Sequence, residues 1–139
     1  MHMRYRTVSH TSDAGIRIYG ADLPELFKNG AAAFLSLLLA KGKVEPRLEE
    51  KIFVTAGDTE QLLVTWLSEL LYLFDTKQLL FNVIEIEEFS ETQIRAVARG
   101  ELFDPKKHQL KTQIKAVTYH GLKIEKKRSL YSTIVIFDI

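Results

Sequence analysis

Residues 59–75 read TEQLLVTWLSELLYLFD, and this stretch decides the fold. Its apolar residues recur at three- and four-residue spacing, which predicts an amphipathic helix with a wide apolar stripe. Asp58 is placed to cap this helix, and Gln61 follows three residues later, as in a capping box. A stripe of this width has to be buried against a large flat surface. The rest of the chain is therefore expected to supply at least one sheet.

A second helix is predicted from about residue 23 to residue 40, with Asp22 as its cap. Other segments are rich in β-branched and aromatic residues and predict short strands. They are residues 4–8, 16–19, 51–55, 81–89, 93–102, 114–125 and 132–137. Residues 81–102 predict a hairpin, and Gly121 predicts a bulge. The pattern predicts one α+β domain over residues 1–139, a three-layer β/β/α sandwich of two packed, mainly antiparallel sheets with a layer of two helices.

The composition excludes several classes of protein. The chain has 139 residues, of which 46% are hydrophobic and 27% charged, so it can form a packed core with a solvated surface. It contains no cysteine, which excludes disulfides, thiolate metal sites and cysteine nucleophiles and predicts a reducing, cytoplasmic location. No stretch is apolar for long enough to span a membrane or to act as a signal peptide. The net charge is only +1, but residues 100–139 carry eight basic and four acidic side chains.

Carboxylates near the two ends of the sequence are candidate ligands for a hard cation. Asp13 lies in a polar connection between two predicted strands, where it either closes an Asx turn or supplies an oxygen ligand. At the other end, an apolar strand is followed by Asp138 and Ile139, whose side chain we expect to be buried. The carboxylate of Asp138 and the α-carboxylate of Ile139 repel each other unless a cation or a basic side chain neutralises them. A solvated chain end is the alternative.

Three further residues are candidates for contact with a phosphate or with a partner protein. Lys115 and His120 lie on a segment predicted to be a strand, and His10 lies three residues before Asp13 in the same polar connection. The histidines have no metal-ligand spacing, so a zinc site is not expected. The chain also has no P-loop, no G-x-G-x-x-G sequence and no nucleophile elbow, so the sequence contains no self-sufficient catalytic set.

Four segments together resemble the archease family. They are residues 10–15 (HTSDAG), 66–73 (WLSELLYL), 114–120 (IKAVTYH) and 135–139 (VIFDI). Their order and spacing fit a full-length member, so the resemblance covers nearly the whole chain. The helical segment alone has little specificity, whereas the 114–120 segment and the Asp-Ile ending are specific. Ser12 is a small departure, since alanine is expected there.

The resemblance implies a small α+β sandwich and a role as an accessory protein rather than an enzyme. Archeases assist the GTP-dependent RNA ligase of tRNA splicing and RNA repair by promoting guanylylation of its active-site histidine, which permits multiple turnover. The resemblance implies a divalent cation, calcium with magnesium or manganese as alternatives, bound by Asp13, Asp138 and Ile139. RNA would be reached through the ligase, and neither DNA nor a membrane is an expected partner.

Two other functions remain open from the residues. A stand-alone metal-dependent phosphoesterase would use the same carboxylates, with His10 and His120 as its only candidates for acid–base chemistry. An RNA-binding, chaperone-like module would instead use the basic residues after position 100, and its RNA binding would depend strongly on salt.

Overall fold

The structure, a computed structural model, describes residues 3–8 and 13–139 and has two helices and ten strands there. The helices are α1, Leu23–Leu38, and α2, Thr59–Lys77. The strands are β1 Tyr5–Val8, β2 Asp13–Gly20, β3 Leu39–Lys41, β4 Leu48–Thr55, β5 Leu79–Phe89, β6 Gln93–Leu102, β7 Gln109–Leu110, β8 Ala116–Thr118, β9 Glu125–Lys127 and β10 Leu130–Asp138. The predicted α+β class, the two helices and the hairpin between β5 and β6 are confirmed.

Both helices begin at the aspartates that the sequence indicated. Asp22 Oδ1 accepts a hydrogen bond from the Glu25 amide at 2.8 Å, and Asp58 Oδ1 accepts one from the Gln61 amide at the same distance. Each cap satisfies an amide that has no partner within its helix. Helix α2 ends at Lys77, and Gln78 caps it in a left-handed conformation with φ 57°.

The strands form two larger antiparallel sheets and one short ribbon. Sheet A has the order β1-β2-β10-β8, and β9 also pairs with β10. Sheet B has the order β4-β6-β5, and β3 and β7 form the ribbon. The last strand of the chain therefore lies in the middle of sheet A, beside β2 from the N-terminal region.

The order of the layers differs from the predicted β/β/α order. Helix α1 contacts β2 of sheet A and β5 of sheet B, and α2 contacts β8 of sheet A and β4 of sheet B. The helices therefore lie between the sheets, giving a β/α/β arrangement. The reason is that both helices bury more than one face. Trp66, for example, is fully buried and donates Nε1–H to the carbonyl of Phe27 on α1 at 3.0 Å.

Two local predictions also need correction. The segment 114–125 is not one bulged strand: β8 and β9 are separated by a turn, in which Gly121 has φ 65°. This left-handed conformation is the one that glycine adopts at little cost. The ribbon of β3 and β7 was not predicted, because its strands are only three and two residues long. In the part of the chain that the structure describes, no helix has the length and apolar character needed to cross a bilayer.

Candidate functional site

The pairing of β2 with β10 brings together the two aspartates from the ends of the sequence. In this antiparallel pair, Asp13 lies directly opposite Asp138. Ile16 and Phe137 are buried on the side of sheet A that faces the helices, with exposed fractions of 2% and 0%. Because side chains alternate between the two faces of a strand, Asp13 and Asp138 share the opposite face. We call this the outer face of sheet A.

The geometry of this pair fits a hard divalent cation. Directly opposite residues in an antiparallel sheet have Cβ atoms about 4.5–5.5 Å apart, so the two carboxylates can share one ion. Within residues 3–8 and 13–139, no three or more His, Asp or Glu side chains gather into a metal-binding group. A cation bound by Asp13 and Asp138 would therefore need its other oxygen ligands from the main chain, a chain-terminal carboxylate or water.

A buried hydroxyl on the same face adds to the polar character of this region. Thr118 of β8 lies opposite Ile136 of β10, two residues along the strand from Asp138. Its Oγ1 atom is buried and has no hydrogen-bond partner within the described residues. A buried hydroxyl without a partner costs about 1–3 kcal/mol. A water molecule, including one bound to a cation, would remove that cost.

Ile139 and Lys115 lie at the same end of sheet A as the two aspartates. The Lys115 amide donates a hydrogen bond to the Asp138 carbonyl at 2.7 Å, so the lysine is held beside the end of β10, with its side chain exposed. Ile139 follows directly, but its side chain is 39% exposed rather than buried as predicted. The reason is that Phe137 fills the last core position of β10, and Ile139 extends beyond the sheet.

The other two predicted contact residues are not brought to this pair by the described structure. His120 is exposed and lies in the turn after β8, whereas Lys115 lies just before this strand. The two residues are therefore at opposite ends of β8. This turn is attached to the start of α2, since Glu60 accepts a hydrogen bond from the Ile124 amide at 3.2 Å. Loss of solvent around the Tyr119 hydroxyl raises its pKa, with a further contribution from the negative charges of Asp58 and Glu60. His10 lies outside the described residues.

Sequence reasoning missed a second polar cluster, around Glu101. Its carboxylate accepts hydrogen bonds from the Lys107 ammonium at 2.7 Å and from the Glu45 amide at 2.9 Å, and these lower the pKa of Glu101 to about 2. His108 is buried and holds the turn that precedes it, because its Nδ1 accepts a hydrogen bond from the Asp104 amide at 3.0 Å. The His108 hydrogen therefore lies on Nε2, which is 3.2 Å from Glu101 Oε2.

The partners of the Glu101 cluster are protein groups, so its role is to hold the segment after β6. An Asp-Pro dipeptide, as at 104–105, is typical of a turn and gives no sign of such a cluster. A lone histidine after such a turn gives no signal of burial. The cluster could not have been found from the sequence, because Glu45 reaches Glu101 across 56 positions of the chain.

Comparison with known proteins identifies the class of protein to which this fold belongs. The family model described as the Archease protein family (MTH1598/TM1083) matches residues 5–139. The solution structure of protein 1598 from Methanobacterium thermoautotrophicum is similar, with a TM-score of 0.81 and 32% identity over 98% of this chain and 99% of that one. The crystal structure of an archease described as a possible chaperone, from Thermotoga maritima, has the same fold with a TM-score of 0.65 and 24% identity over 100% and 99% of the two chains.

Proteins with similar sequences are also named archease. A protein named archease from Methanosarcina acetivorans is 39% identical over 140 residues, which cover 98% of this chain and 96% of the relative. One from Pyrococcus furiosus is 43% identical over 120 residues, which cover 84% of each chain. The fold is thus that of a small α+β protein of the archease type. The chain belongs to the Archease protein family.

Proposed function

We propose that this protein is an accessory factor of a GTP-dependent RNA ligase and that it acts through a divalent cation bound by Asp13 and Asp138. The observation that carries the proposal is the cross-strand register that sets these two aspartates opposite each other in a member of the archease family. Two carboxylates on neighbouring strands repel each other, and a bound cation would turn this repulsion into a stabilising interaction.

The ligands are hard oxygen atoms, which suit calcium, with magnesium and manganese as alternatives, and do not suit a soft metal. Ile139 would add its main-chain carboxylate, and water would complete the coordination shell. The cation would supply positive charge for the phosphates of the nucleotide or of the RNA end at the ligase. Lys115, held beside Asp138, is the second residue proposed to contact a phosphate or the ligase, and His120 and His10 are weaker candidates for this contact.

The proposed action takes place on the ligase rather than on a substrate of this protein alone. The protein would dock beside the ligase active site and promote guanylylation of the ligase histidine. RNA would be contacted through the ligase, in the cytoplasm. One carboxylate pair is a small ligand set for hydrolysis of phosphate esters, which generally uses further ligands and a general acid or base.

The experiment is RNA ligation by the cognate GTP-dependent ligase at limiting ligase concentration, with and without this protein. We expect about one product per ligase without the protein and many with it. Asp138→Asn should abolish the gain, whereas Glu87→Gln, which removes an exposed carboxylate on β5 of sheet B, should retain it. No gain with folded wild-type protein and active ligase would overturn the proposal. Cleavage of a generic phosphodiester by the protein alone would instead favour the phosphoesterase.

The contribution of Ile139 is tested by chain extension. Adding one residue after Ile139 moves the terminal carboxylate away from Asp138 while leaving the paired part of β10 intact. The extended protein should activate the ligase less than the wild type does. Full activity of the extended protein would exclude the terminal carboxylate as a ligand and leave Asp13 and Asp138 as the proposed site.

A further inference from the structure

The outer face of sheet A carries two arginines that lie directly opposite each other. Arg6 of β1 pairs with Arg17 of β2 in the antiparallel register. Arg17 lies between Ile16 and Ile18, which are buried with exposed fractions of 2% and 0%, so both arginines point away from the helices. The strand geometry holds their Cβ atoms about 4.5–5.5 Å apart.

The neighbours of the two arginines do not neutralise them. On its other side Arg17 lies opposite Ile134 of β10, and along β2 its neighbours on the same face are Gly15 and Tyr19. Among the described residues, the ion pairs involve neither Arg6 nor Arg17. The nearest carboxylate along β2 on this face is Asp13, four residues and therefore about 13 Å away.

On sheet B, by contrast, an exposed-face arginine is neutralised by carboxylates of the neighbouring strands. Arg99 on β6 lies between two glutamates on the neighbouring strands, with ion pairs of 3.2 Å to Glu49 and 3.1 Å to Glu85. The hydrogen bond to Glu85 and the charges of both carboxylates raise the pKa of Arg99. Like charges directly opposite each other in a sheet are destabilising, so the pair on sheet A has a cost that sheet B avoids.

We propose that Arg6 and Arg17 form a phosphate-binding site on the outer face of sheet A. Guanidinium groups bind phosphate through paired N–H donors, and two of them at this spacing can hold one phosphate group together. Tyr19, the neighbour of Arg17 on the side away from Asp13, places an aromatic ring on the same face. The ligand is a phosphate with neighbours on both sides, either in a single-stranded RNA backbone or in a nucleoside triphosphate.

This site deepens the proposed function, because it adds a direct contact between this protein and a phosphate of the RNA or nucleotide that the ligase holds. It rests on the proposed function only for the source of that phosphate. The arginine pair and the Asp13–Asp138 pair lie on one face of the same strands. A phosphate held by Arg6 and Arg17 would orient the rest of its molecule toward the carboxylate end of the sheet. The arginine pair would thus position the ligand, while the cation would act on a second phosphate.

The test is binding of a fluorescently labelled single-stranded RNA to the protein without ligase and in the presence of EDTA. We expect the double variant Arg6→Gln and Arg17→Gln to lose at least about tenfold in affinity. The magnitude of the slope of log K against log salt should fall by about 0.7, since the pair holds one phosphate and each neutralised phosphate on a single strand contributes about 0.7. The control is the double variant Lys41→Gln and Lys51→Gln, which removes the same charge from exposed positions on β3 and β4 and should change affinity by less than about twofold.

Competition by GTP at constant ionic strength identifies the source of the phosphate. Displacement of RNA by GTP from the wild type would show that the site also takes nucleotide phosphates, and no displacement would show that it is confined to RNA. If the wild type binds neither probe, or if the arginine variant binds both as the wild type does, the proposal is overturned. An equal loss in the control would also overturn it, because binding would then reflect net charge alone.

A thermal measurement separates loss of binding from loss of folding. In buffer without phosphate, Arg6→Gln should raise Tm, because it removes like-charge repulsion at an exposed position. Added inorganic phosphate should raise the Tm of the wild type more than that of the double arginine variant. A lower Tm for Arg6→Gln than for the wild type, without phosphate, would contradict the claim that Arg6 and Arg17 repel each other. Asp138→Asn should retain RNA binding in EDTA, so failure of the ligase mechanism and failure of the arginine site give different results.

Discussion

Replacing Asp138 with asparagine should change the stability of the protein in opposite directions with and without a divalent cation. Without a cation, Asp13 and Asp138 lie opposite each other on neighbouring strands. Two unit charges about 5 Å apart repel by about 0.8 kcal/mol at a dielectric constant of about 80 and by about 3 kcal/mol at about 20. Asp138 is exposed, so the value close to that in water applies.

In EDTA, Asp138→Asn should therefore stabilise the protein by about 1 kcal/mol, which corresponds to a Tm increase of about 3–5 °C for a domain of this size. With calcium in excess the sign reverses, because the wild type gains the free energy of binding. That gain is about 2.7 kcal/mol at a free calcium concentration of about 100 times Kd, and the variant loses most of it.

The assay is thermal unfolding followed by circular dichroism, in EDTA and along a calcium titration, for the wild type, Asp138→Asn and Glu87→Gln. Glu87 is an exposed carboxylate on sheet B, so its variant should follow the wild type in both conditions. The reasoning is refuted if Asp138→Asn keeps the full calcium response, or if the wild type shows no response at any calcium concentration. Equal Tm values for wild type and Asp138→Asn in EDTA would refute the repulsion between the two aspartates.

Three further predictions concern the fold. Trp66→Phe should lower the free energy of unfolding by about 2 kcal/mol in urea titrations, because it removes the buried hydrogen bond to Phe27 and leaves a cavity; an unchanged midpoint would contradict this. Because the pKa of Glu101 falls from 4.5 in the unfolded chain to about 2, its stabilising contribution is complete above pH 4.5 and is lost as pH falls toward 2. Glu101→Gln should flatten that decline in acid titrations of stability, and a decline as steep as in the wild type would exclude Glu101 as its source. Gly100→Ala should destabilise the protein by about 3 kcal/mol or more, because the new Cβ would collide with the Leu80 carbonyl. A Tm equal to that of the wild type would contradict this collision.

The sequence predicted those parts of the fold that local patterns determine. The stripe around Trp66 predicted α2, and Asp22 and Asp58 marked the starts of both helices. The layer order could not be predicted in the same way, because a wide apolar stripe shows that a helix is buried but does not show how many sheets cover it. Gly121 was correctly identified as a backbone irregularity, but its turn was mistaken for a bulge since both favour glycine.

The candidate site was only partly predictable, for a related reason. Asp13 and Asp138 are unusual residues individually, but only the pairing of β2 with β10 brings residues 125 positions apart in the sequence opposite each other. The Arg6–Arg17 pair depends on register as well, since a shift of one residue would put Arg17 on the buried face. Burial of the Ile139 side chain was predicted from its apolar character, whereas the end of the sheet leaves it exposed.

The central claim is that the carboxylate pair of this protein promotes guanylylation of the ligase. The most direct measurement is transfer of labelled GMP from GTP to the ligase in a single turnover, with calcium present and no RNA. The wild type and Glu87→Gln should accelerate formation of the covalent ligase–GMP adduct, and Asp138→Asn should leave the rate at that of the ligase alone. Equal acceleration by Asp138→Asn and the wild type would contradict the claim.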